Sequence, residues 1–170
     1  PCILGIEAVG NVVAIGDGVE GFVVGDRVGY ASGPLGAYVE ERDFIANKTV
    51  KIPEFISDAE AAAILLKGMT VEYLFNRTYK IKPGEHFLFH AAAGGVGLVA
   101  CQWAQAIGAK MIGTVGTDEK AALAKKSGCE FTINYSKEDV ANGVKEITEG
   151  RGVSVVYDGV GKDTFQSSID

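Results

Sequence analysis

The sequence lacks the features that direct a chain to a membrane or to nucleic acid. It has no apolar run of about eighteen residues, the length that a membrane-spanning helix needs. Positive charge is scarce, because 16 Lys and Arg oppose 22 Asp and Glu for a net charge of −6, and no basic cluster is interleaved with aromatic residues. We therefore expect a soluble protein whose partners include neither membrane nor nucleic acid.

Cysteine is also sparse, with only Cys2, Cys101 and Cys129 in 170 residues. Their wide separation fits no zinc motif, and three unpaired-looking cysteines suit the reducing cytoplasm. Hydrophobic residues are plentiful at 47%, which is enough for one large core or two modest ones.

The most informative segment is an apolar run, residues 87–90, that breaks into small residues and then resumes as an apolar helix pattern. The glycine positions of a dinucleotide-binding fingerprint fall at Ala92, Gly94 and Gly97, with alanine in place of the first glycine. Small side chains there let backbone amides approach a pyrophosphate, and the helix dipole favours the anion. The alternative is a glycine-rich turn that binds nothing.

Strands and helices are predicted to alternate along the rest of the chain. Strands are expected at 85–90, 110–115, 131–135 and 153–157, with helices from 96 to 107, 119 to 126 and 138 to 148. Asp118 is a candidate N-cap of the second helix, Gly128 its left-handed end, and Ser136 with Asp139 a capping box for the third. This alternation predicts an α/β fold of the Rossmann type, a doubly wound parallel sheet.

The first fifty-five or so residues have a different character. Short β-branched runs at 9–15 and 19–24 are separated by glycines, a spacing typical of a compact β barrel or sandwich. A helix is predicted at 58–77, and the domain seam near 53–58, so that residues 1–55 and 56–170 form separate domains. Glu7 lies among small apolar residues and is expected to pair with Arg27 or Arg42 in a structural role.

The end of the second predicted strand bears on which nucleotide binds. An NAD site has a carboxylate there for the ribose 2′-hydroxyl, whereas this chain reads Gly116-Thr117-Asp118-Glu119-Lys120. No acid ends the strand, and Lys120 follows one helical turn later, which favours NADPH over NADH. In the alternative interpretation, the three charges form a solvated first turn of the helix.

Several ordered motifs together resemble the medium-chain dehydrogenase/reductase superfamily, and within it the zinc-free, zeta-crystallin-like branch of NADPH-dependent quinone oxidoreductases. The motifs lie at residues 5–10, 25–28, 67–70, 90–97 and 156–161. The resemblance implies that the amino-terminal part belongs to a GroES-like β-barrel domain and that the rest is a partial Rossmann domain. Zinc enzymes of the superfamily have a histidine ligand where this chain has Ile6, and their cysteine-rich lobe is missing, so we expect no bound metal.

The resemblance also implies the chemistry and the site. It implies hydride transfer from NADPH to a quinone or related conjugated carbonyl, with no side chain identifiable as a catalytic acid or base. The implied cofactor contacts are Thr70 near the nicotinamide, Gly94, Gly95, Val96 and Gly97 at the pyrophosphate, and Gly116, Lys120 and Tyr135 around the 2′-phosphate. Thr70 is otherwise an ordinary helix residue and Tyr135 a strand-end aromatic. His90 and His86 are expected to be structural.

Two other functions stay open at this point. One is reduction of the carbon–carbon double bond of an enone or enoyl thioester, and the other is NADPH binding without catalysis in a structural or redox-sensing protein. Members of this superfamily are longer at both ends, so we expect the chain to be truncated, this piece alone to turn over weakly, and the full-length protein to be a homodimer.

Overall fold

The computed structural model describes residues 2–170 and divides into two compact units, with the boundary between Met69 and Thr70. Within the described residues, no helix combines the length and the apolar character needed to cross a membrane.

The first unit contains a small antiparallel sheet. Its strands β1 (Glu7–Asn11), β2 (Arg27–Ala31) and β3 (Val50–Lys51) lie in the order β1-β2-β3, and a single 3₁₀ turn at Ala46–Lys48 precedes β3. A Cβ added at Gly29 in the central strand would lie 2.6 Å from Leu65 Cδ1, so this glycine makes room for the helix that follows. Glycine therefore serves close packing in this sheet as well as turns.

The β-branched run at 19–24 does not form the strand that its composition predicts. Val23 and Val24 are exposed, and Gly18, Gly21 and Gly25 all adopt positive φ. The backbone N–H of Val23 donates to Asp26 Oδ2 at 2.8 Å, which closes a turn in place of a sheet ladder. Three left-handed glycines within eight residues thus override the strand propensity of valine.

Helix α1 (Asp58–Tyr73) begins with a capping box that the sequence reading missed. Ser57 N–H and Oγ–H donate to Glu60 Oε2 at 3.0 and 2.6 Å, and Glu60 N–H donates to Ser57 Oγ at 3.3 Å. The prediction of a helix at 58–77 is correct in type, but its last turn is a π-helical segment, Leu74–Thr78. The α-helix therefore changes to π-helical winding at Leu74, before residue 77, where the helix was predicted to end.

Glu7 is paired, but with a different cation from either of the two expected. Lys67 Nζ lies 3.0 Å from Glu7 Oε1, while Arg27 Nε lies 2.8 Å from Asp58 Oδ1 and Arg42 Nη1 donates to the Tyr30 hydroxyl. The expectation of Arg27 or Arg42 was wrong because α1 brings a residue sixty positions away to the start of β1.

The second unit is a parallel α/β sheet. Strands β4 (His86–Phe89), β5 (Lys110–Val115), β6 (Phe131–Asn134) and β7 (Val156–Tyr157) lie in the order β6-β5-β4-β7, and every pair is parallel. The helices are α2 (Gly95–Ala106), α3 (Asp118–Lys126), α4 (Val140–Ile147) and α5 (Phe165–Ile169). The chain runs outward on one side of β4 and then crosses to its other side, which is the doubly wound arrangement.

Alternation along the central strands divides the core into two layers. Phe87 and Phe89 pack with Ala100 and Ala104 of α2 in one cluster, whereas Leu88 packs with α4 residues in another. Successive side chains of a strand point to opposite faces, so helices cover both faces of the sheet.

Two helix starts differ from the predicted caps. Thr117, not Asp118, caps α3 by accepting a hydrogen bond from the Lys120 N–H, and Asp139 caps α4 by accepting one from Asn142 N–H. Ser136 is not part of a capping box, because its hydroxyl donates to the Gly116 carbonyl at 2.9 Å. Gly128 has φ of +101°, which confirms the left-handed end of α3.

Candidate functional site

The turn between β4 and α2 is tight and has no side chain as a cap. Ala91 adopts a φ of +55°, a conformation that few alanines adopt, and Gly94 N–H donates to the Ala91 carbonyl at 2.8 Å. Gly94 is the N-cap of α2, and no side-chain hydrogen bond caps the helix. The N–H groups of residues 95–97 precede the first intrahelical bond, from Leu98 to Gly94, and therefore suit an anion.

The second and third small residues of the fingerprint differ in what they do. A Cβ at Gly97 would lie 2.5 Å from the carbonyl oxygens of both Ala91 and Ala92, so only glycine lets the helix pack against its own entry turn. A Cβ at Gly94 would meet the Ala91 oxygen at 3.1 Å, and the residue itself is exposed. Gly97 therefore shapes the turn, while Gly94 is on its accessible side.

Ala92 is buried beneath this turn. It has no solvent exposure, and its backbone N–H donates to the Thr114 carbonyl at 3.0 Å. A Cβ at Gly113 of β5 would come within 2.5 Å of the Ala92 Cβ, so a glycine in the neighbouring strand makes room for the alanine. Ala92 thus acts as packing, and its amide is already used.

The end of β5 forms a second wall. Gly116 follows the strand, and a Cβ there would lie 2.6 Å from the Tyr135 hydroxyl oxygen, which shows that the tyrosine lies against this glycine. Tyr135 is 56% exposed although it follows a buried strand. Lys120 lies in the first turn of α3 and is exposed.

Both acids at the start of α3 are engaged. Asp118 accepts from Lys137 Nζ at 2.5 Å and from Asn134 Nδ2 at 2.9 Å, and these hydrogen bonds, with Lys137 first, hold the pKa of the Asp118 carboxyl below its usual value. A hydrogen bond from the Thr117 hydroxyl lowers the pKa of Glu119. Both carboxylates are therefore ionised at neutral pH and already have partners.

The loop after β7 is organised around Asp158. Its Oδ1 accepts from the N–H groups of Val160 and Gly161, each at 2.9 Å, and from the Thr164 hydroxyl at 2.8 Å. Burial alone would raise the pKa of this carboxyl, but these hydrogen bonds outweigh it and lower the pKa to about 2.

His90, at the end of β4, connects the two loops. Its Nδ1 lies 3.0 Å from Thr114 Oγ1, its Nε2 lies 3.0 Å from Ser168 Oγ, and the Ser168 hydroxyl is 3.2 Å from Asp158 Oδ2. Burial lowers the pKa of His90, and the carboxylate of Asp158 only partly opposes this, so the ring is neutral near pH 7. With both nitrogens engaged, His90 fits the structural role expected for it.

A cavity of about 460 Å³ opens at the carboxyl edge of the sheet. Four predicted cofactor residues line it together, Gly94, Gly116, Lys120 and Tyr135. The other lining residues are His90, Ala91, Ala93, Thr114, Val115, Val140, Val160, Asp163, Thr164 and Ser167. This edge of an open parallel sheet, beside the strand where the order reverses, is where such folds bind nucleotides.

The remaining predicted residues lie elsewhere. Gly95 and Val96 form the first turn of α2 next to the cavity, Ala92 and Gly97 pack beneath it, and Thr70 is half-buried on α1. Sequence reasoning missed Thr114, Asp163, Thr164 and Ser167 as lining residues. The sequence could have pointed to Thr114, because a polar residue inside an otherwise apolar strand needs a hydrogen-bond partner.

A second cavity, of about 300 Å³, opens at the opposite edge of the sheet near His86 and Arg151 and contains no fingerprint residue. Across residues 2–170, no group of three or more His, Cys, Asp or Glu side chains could hold a metal ion.

A doubly wound parallel sheet with a glycine turn and a cavity at its carboxyl edge is the Rossmann-type fold, the fold class of many dinucleotide-binding proteins. Residues 1–75 match the alcohol dehydrogenase GroES-like domain, and residues 95–170 match the family described as zinc-binding dehydrogenase. The chain belongs to the medium-chain dehydrogenase/reductase superfamily, and its parallel sheet follows a GroES-like domain as expected.

Individual relatives support the same assignment. Quinone oxidoreductase 1 of Escherichia coli is 56% identical over 170 residues, covering 100% of this chain and 52% of the relative. The 2-haloacrylate reductase of Burkholderia sp. is 51% identical over 172 residues, again covering 52% of that protein. A crystal structure of Escherichia coli quinone oxidoreductase complexed with NADPH aligns with a TM-score of 0.96 at 56% identity, covering 99% of this chain and 52% of that one. The chain spans about half the length of the curated relatives it matches.

Proposed function

We propose that this chain is the cofactor-binding part of an NADPH-dependent, zinc-independent quinone reductase. The observation that carries the proposal is the cavity lined together by Gly94, Gly116, Lys120 and Tyr135. The relatives support both the proposed substrate and the proposed cofactor. One relative is called quinone oxidoreductase, and a related crystal structure is described as complexed with NADPH.

The residues around the cavity divide the cofactor into recognisable parts. The uncapped N–H groups of Gly95, Val96 and Gly97, with the positive end of α2, suit the pyrophosphate. Lys120 supplies a positive charge for a 2′-phosphate, and Tyr135 a flat surface and a hydroxyl beside it. Ala92 supports the turn from below, and Thr70 is proposed to lie near the nicotinamide.

The proposed acceptor follows from the absence of any assigned catalytic acid. When bound, NADPH supplies a hydride, and a quinone can accept it because the product is a delocalised phenolate that needs little protonation in the transition state. The chain's own contribution is to bind the coenzyme, orient it and exclude water. The substrate is accordingly a small molecule, a quinone or another conjugated carbonyl.

A second candidate is reduction of an activated carbon–carbon double bond, and the 51% identity to a 2-haloacrylate reductase favours it specifically. A conjugated alkene accepts hydride at carbon and leaves its charge on the neighbouring carboxylate or carbonyl, so the same cofactor cavity serves it. NADPH binding without catalysis is the third possibility.

Domain boundaries, location and assembly belong to the same proposal. We assign residues 1–55 to the GroES-like catalytic domain and residues 56–170 to the cofactor-binding domain. The free thiols of Cys2, Cys101 and Cys129 support a reducing, cytoplasmic location. The full-length protein is proposed to be a homodimer, as its superfamily resemblance implies.

The first test measures NADPH affinity on the full 170-residue chain and on the variants Lys120→Ala and Gly94→Val. Loss of the lysine should weaken binding by about tenfold, the effect of one charge-assisted contact of about 1.4 kcal/mol. The valine should weaken binding at least as much, because its side chain occupies the accessible side of the turn. Lys126→Ala, on the last turn of α3, is the charge-matched control.

Turnover separates the three functions. NADPH absorbance is followed with a quinone, with a 2-haloacrylate and with no acceptor, both on this chain and on a version extended to the length of its relatives. Consumption with the quinone supports the first proposal, and consumption only with the alkene supports the second. Failure of the chain to bind NADPH, or binding indifferent to Gly94→Val, would overturn all three.

A further inference from the structure

Asp118, the first residue of α3, is held by one residue of β6 and by one residue of the loop that follows β6. Asn134 Nδ2 donates to Asp118 Oδ1 at 2.9 Å, and Lys137 Nζ lies 2.5 Å from Asp118 Oδ2. The two donors thus occupy both oxygens of the carboxylate. We call Asp118, Asn134 and Lys137 the Asp118 clamp.

The charged start of α3 presents a lysine, and no acid, to the cavity. Of the three consecutive charged residues at the start of α3, Lys120 lines the cavity, whereas neither Asp118 nor Glu119 does. Among the described residues, no carboxylate lies within ion-pair distance of Lys120. Without Lys137, the negative charge of Asp118 would stand uncompensated two positions from that lysine.

The loop that carries Lys137 is ordered by other bonds, which hold its backbone close to Asp118. Lys137 N–H donates to the Asn134 carbonyl at 2.9 Å, and Asn134 N–H donates to Glu138 Oε1 at 2.9 Å. The Ser136 hydroxyl donates to the Gly116 carbonyl at 2.9 Å. Tyr135, which lines the cavity, lies between the two clamp donors in sequence.

A carboxylate near the end of the second strand is the feature that selects a ribose 2′-hydroxyl and disfavours a 2′-phosphate. We propose that Lys137, helped by Asn134, is a specificity-determining residue that neutralises Asp118 and so lets the cavity prefer a nucleotide with a 2′-phosphate. This inference rests on the proposed function and names a residue outside the cavity that tunes it.

The expected effect is modest and depends on salt. The Lys137 and Asp118 side chains are 63% and 66% exposed, so the pair adds little to stability. At a separation on the order of 10 Å, a freed unit charge weakens the binding of a dianionic phosphate by about two- to fivefold at low ionic strength, and less at 0.15 M salt, where the Debye length is about 8 Å.

The test compares dissociation constants for NADPH and NADH on the full chain at low ionic strength. Lys137→Met should weaken NADPH by about two- to fivefold and leave NADH unchanged or slightly tighter, and added salt should shrink the difference. Lys126→Met changes the net charge equally, but about 12 Å further along α3 than Asp118, and should leave the NADPH/NADH ratio as it is. The double variant Asp118→Asn with Lys137→Met should restore the wild-type ratio.

Each outcome has one meaning. If Lys137→Met behaves like Lys126→Met, the clamp does not set the preference and the inference is wrong. If the double variant fails to restore the ratio, Lys137 acts by contacting the nucleotide and not through Asp118, which also overturns it. A wild-type chain that binds neither nucleotide overturns the proposed function first, whereas a wild-type preference for NADPH that Lys137→Met leaves unchanged overturns this inference alone.

Discussion

His90 shows how the partners of a single side chain define its role. The Ser168 hydroxyl also lies 2.8 Å from the Thr164 carbonyl, to which it can donate, so it can accept from His90 Nε2–H. The imidazole Nδ1 is then left to accept from Thr114 Oγ1–H. A neutral ring satisfies both bonds, whereas a second proton on Nδ1 would force the Thr114 hydroxyl to accept instead of donate.

This arrangement makes stability depend on pH in a definite direction. Burial lowers the folded-state pKa of His90, so its stabilising effect is complete above the unfolded value of about 6.5 and is lost as pH falls through the folded value. Between pH 7 and 5 the free energy of unfolding should fall by at most about 1.4 kcal/mol per pH unit from this group. Urea titrations of the wild type and of His90→Gln measure it.

The same titrations on His86→Gln provide the control, because burial also lowers the pKa of His86 but this residue is only half-buried. Removing His90 should flatten the pH dependence more than removing His86. An equal slope in the wild type and in His90→Gln would contradict the assigned neutral role.

The starts of α3 and α4 are each set by a single side-chain oxygen, from Thr117 and Asp139 respectively. Asp139 Oδ1 accepts from the Asn142 N–H at 2.9 Å, and no acidic residue follows in the first turn of α4. Asp139→Ala should therefore destabilise the protein by about 1 kcal/mol. Thermal or urea unfolding of the variant at pH 7 checks this value.

Ser136→Ala separates the observed cap from the one that the sequence pattern favours. Ser136 bonds to the Gly116 carbonyl at an exposed position, so its removal should cost clearly less than removal of Asp139. A larger loss for Ser136→Ala would restore the capping box as the correct description of this helix start.

Two spectroscopic signals distinguish unfolding of the cavity-containing unit from unfolding of the whole chain. Its single tryptophan is Trp103 of α2, so tryptophan emission follows the unit that contains the cavity, whereas circular dichroism follows all helices and strands. NADP⁺ at about one hundred times its dissociation constant should raise the free energy of unfolding seen by Trp103 by about 2.7 kcal/mol. Denaturant titrations with and without NADP⁺ measure the shift.

NAD⁺ at the same concentration is the control, since it shares everything but the 2′-phosphate and should stabilise less. A Trp103 transition that NADP⁺ leaves unmoved would contradict nucleotide binding in this unit.

Much of this architecture could be predicted because its signals are local. Alternating apolar runs and capping residues predict the order of strands and helices in residues 86–157, and Gly128 marks a helix end because an L side chain is strained at its positive φ. The spacing of Ala92, Gly94 and Gly97 likewise predicts a phosphate-binding turn, since close backbone approach requires small residues wherever it occurs.

What the tertiary structure alone decided depends on residues far apart in the chain. Lys67 rather than Arg27 or Arg42 pairs with Glu7, Gly113 makes room for Ala92, and Lys137 reaches back across nineteen positions to Asp118. The local sequence pattern reveals which residues are small, charged or apolar. The packing of strands and helices determines which residues are neighbours, and the effect of a charge depends on the charges and hydrogen-bonding groups next to it.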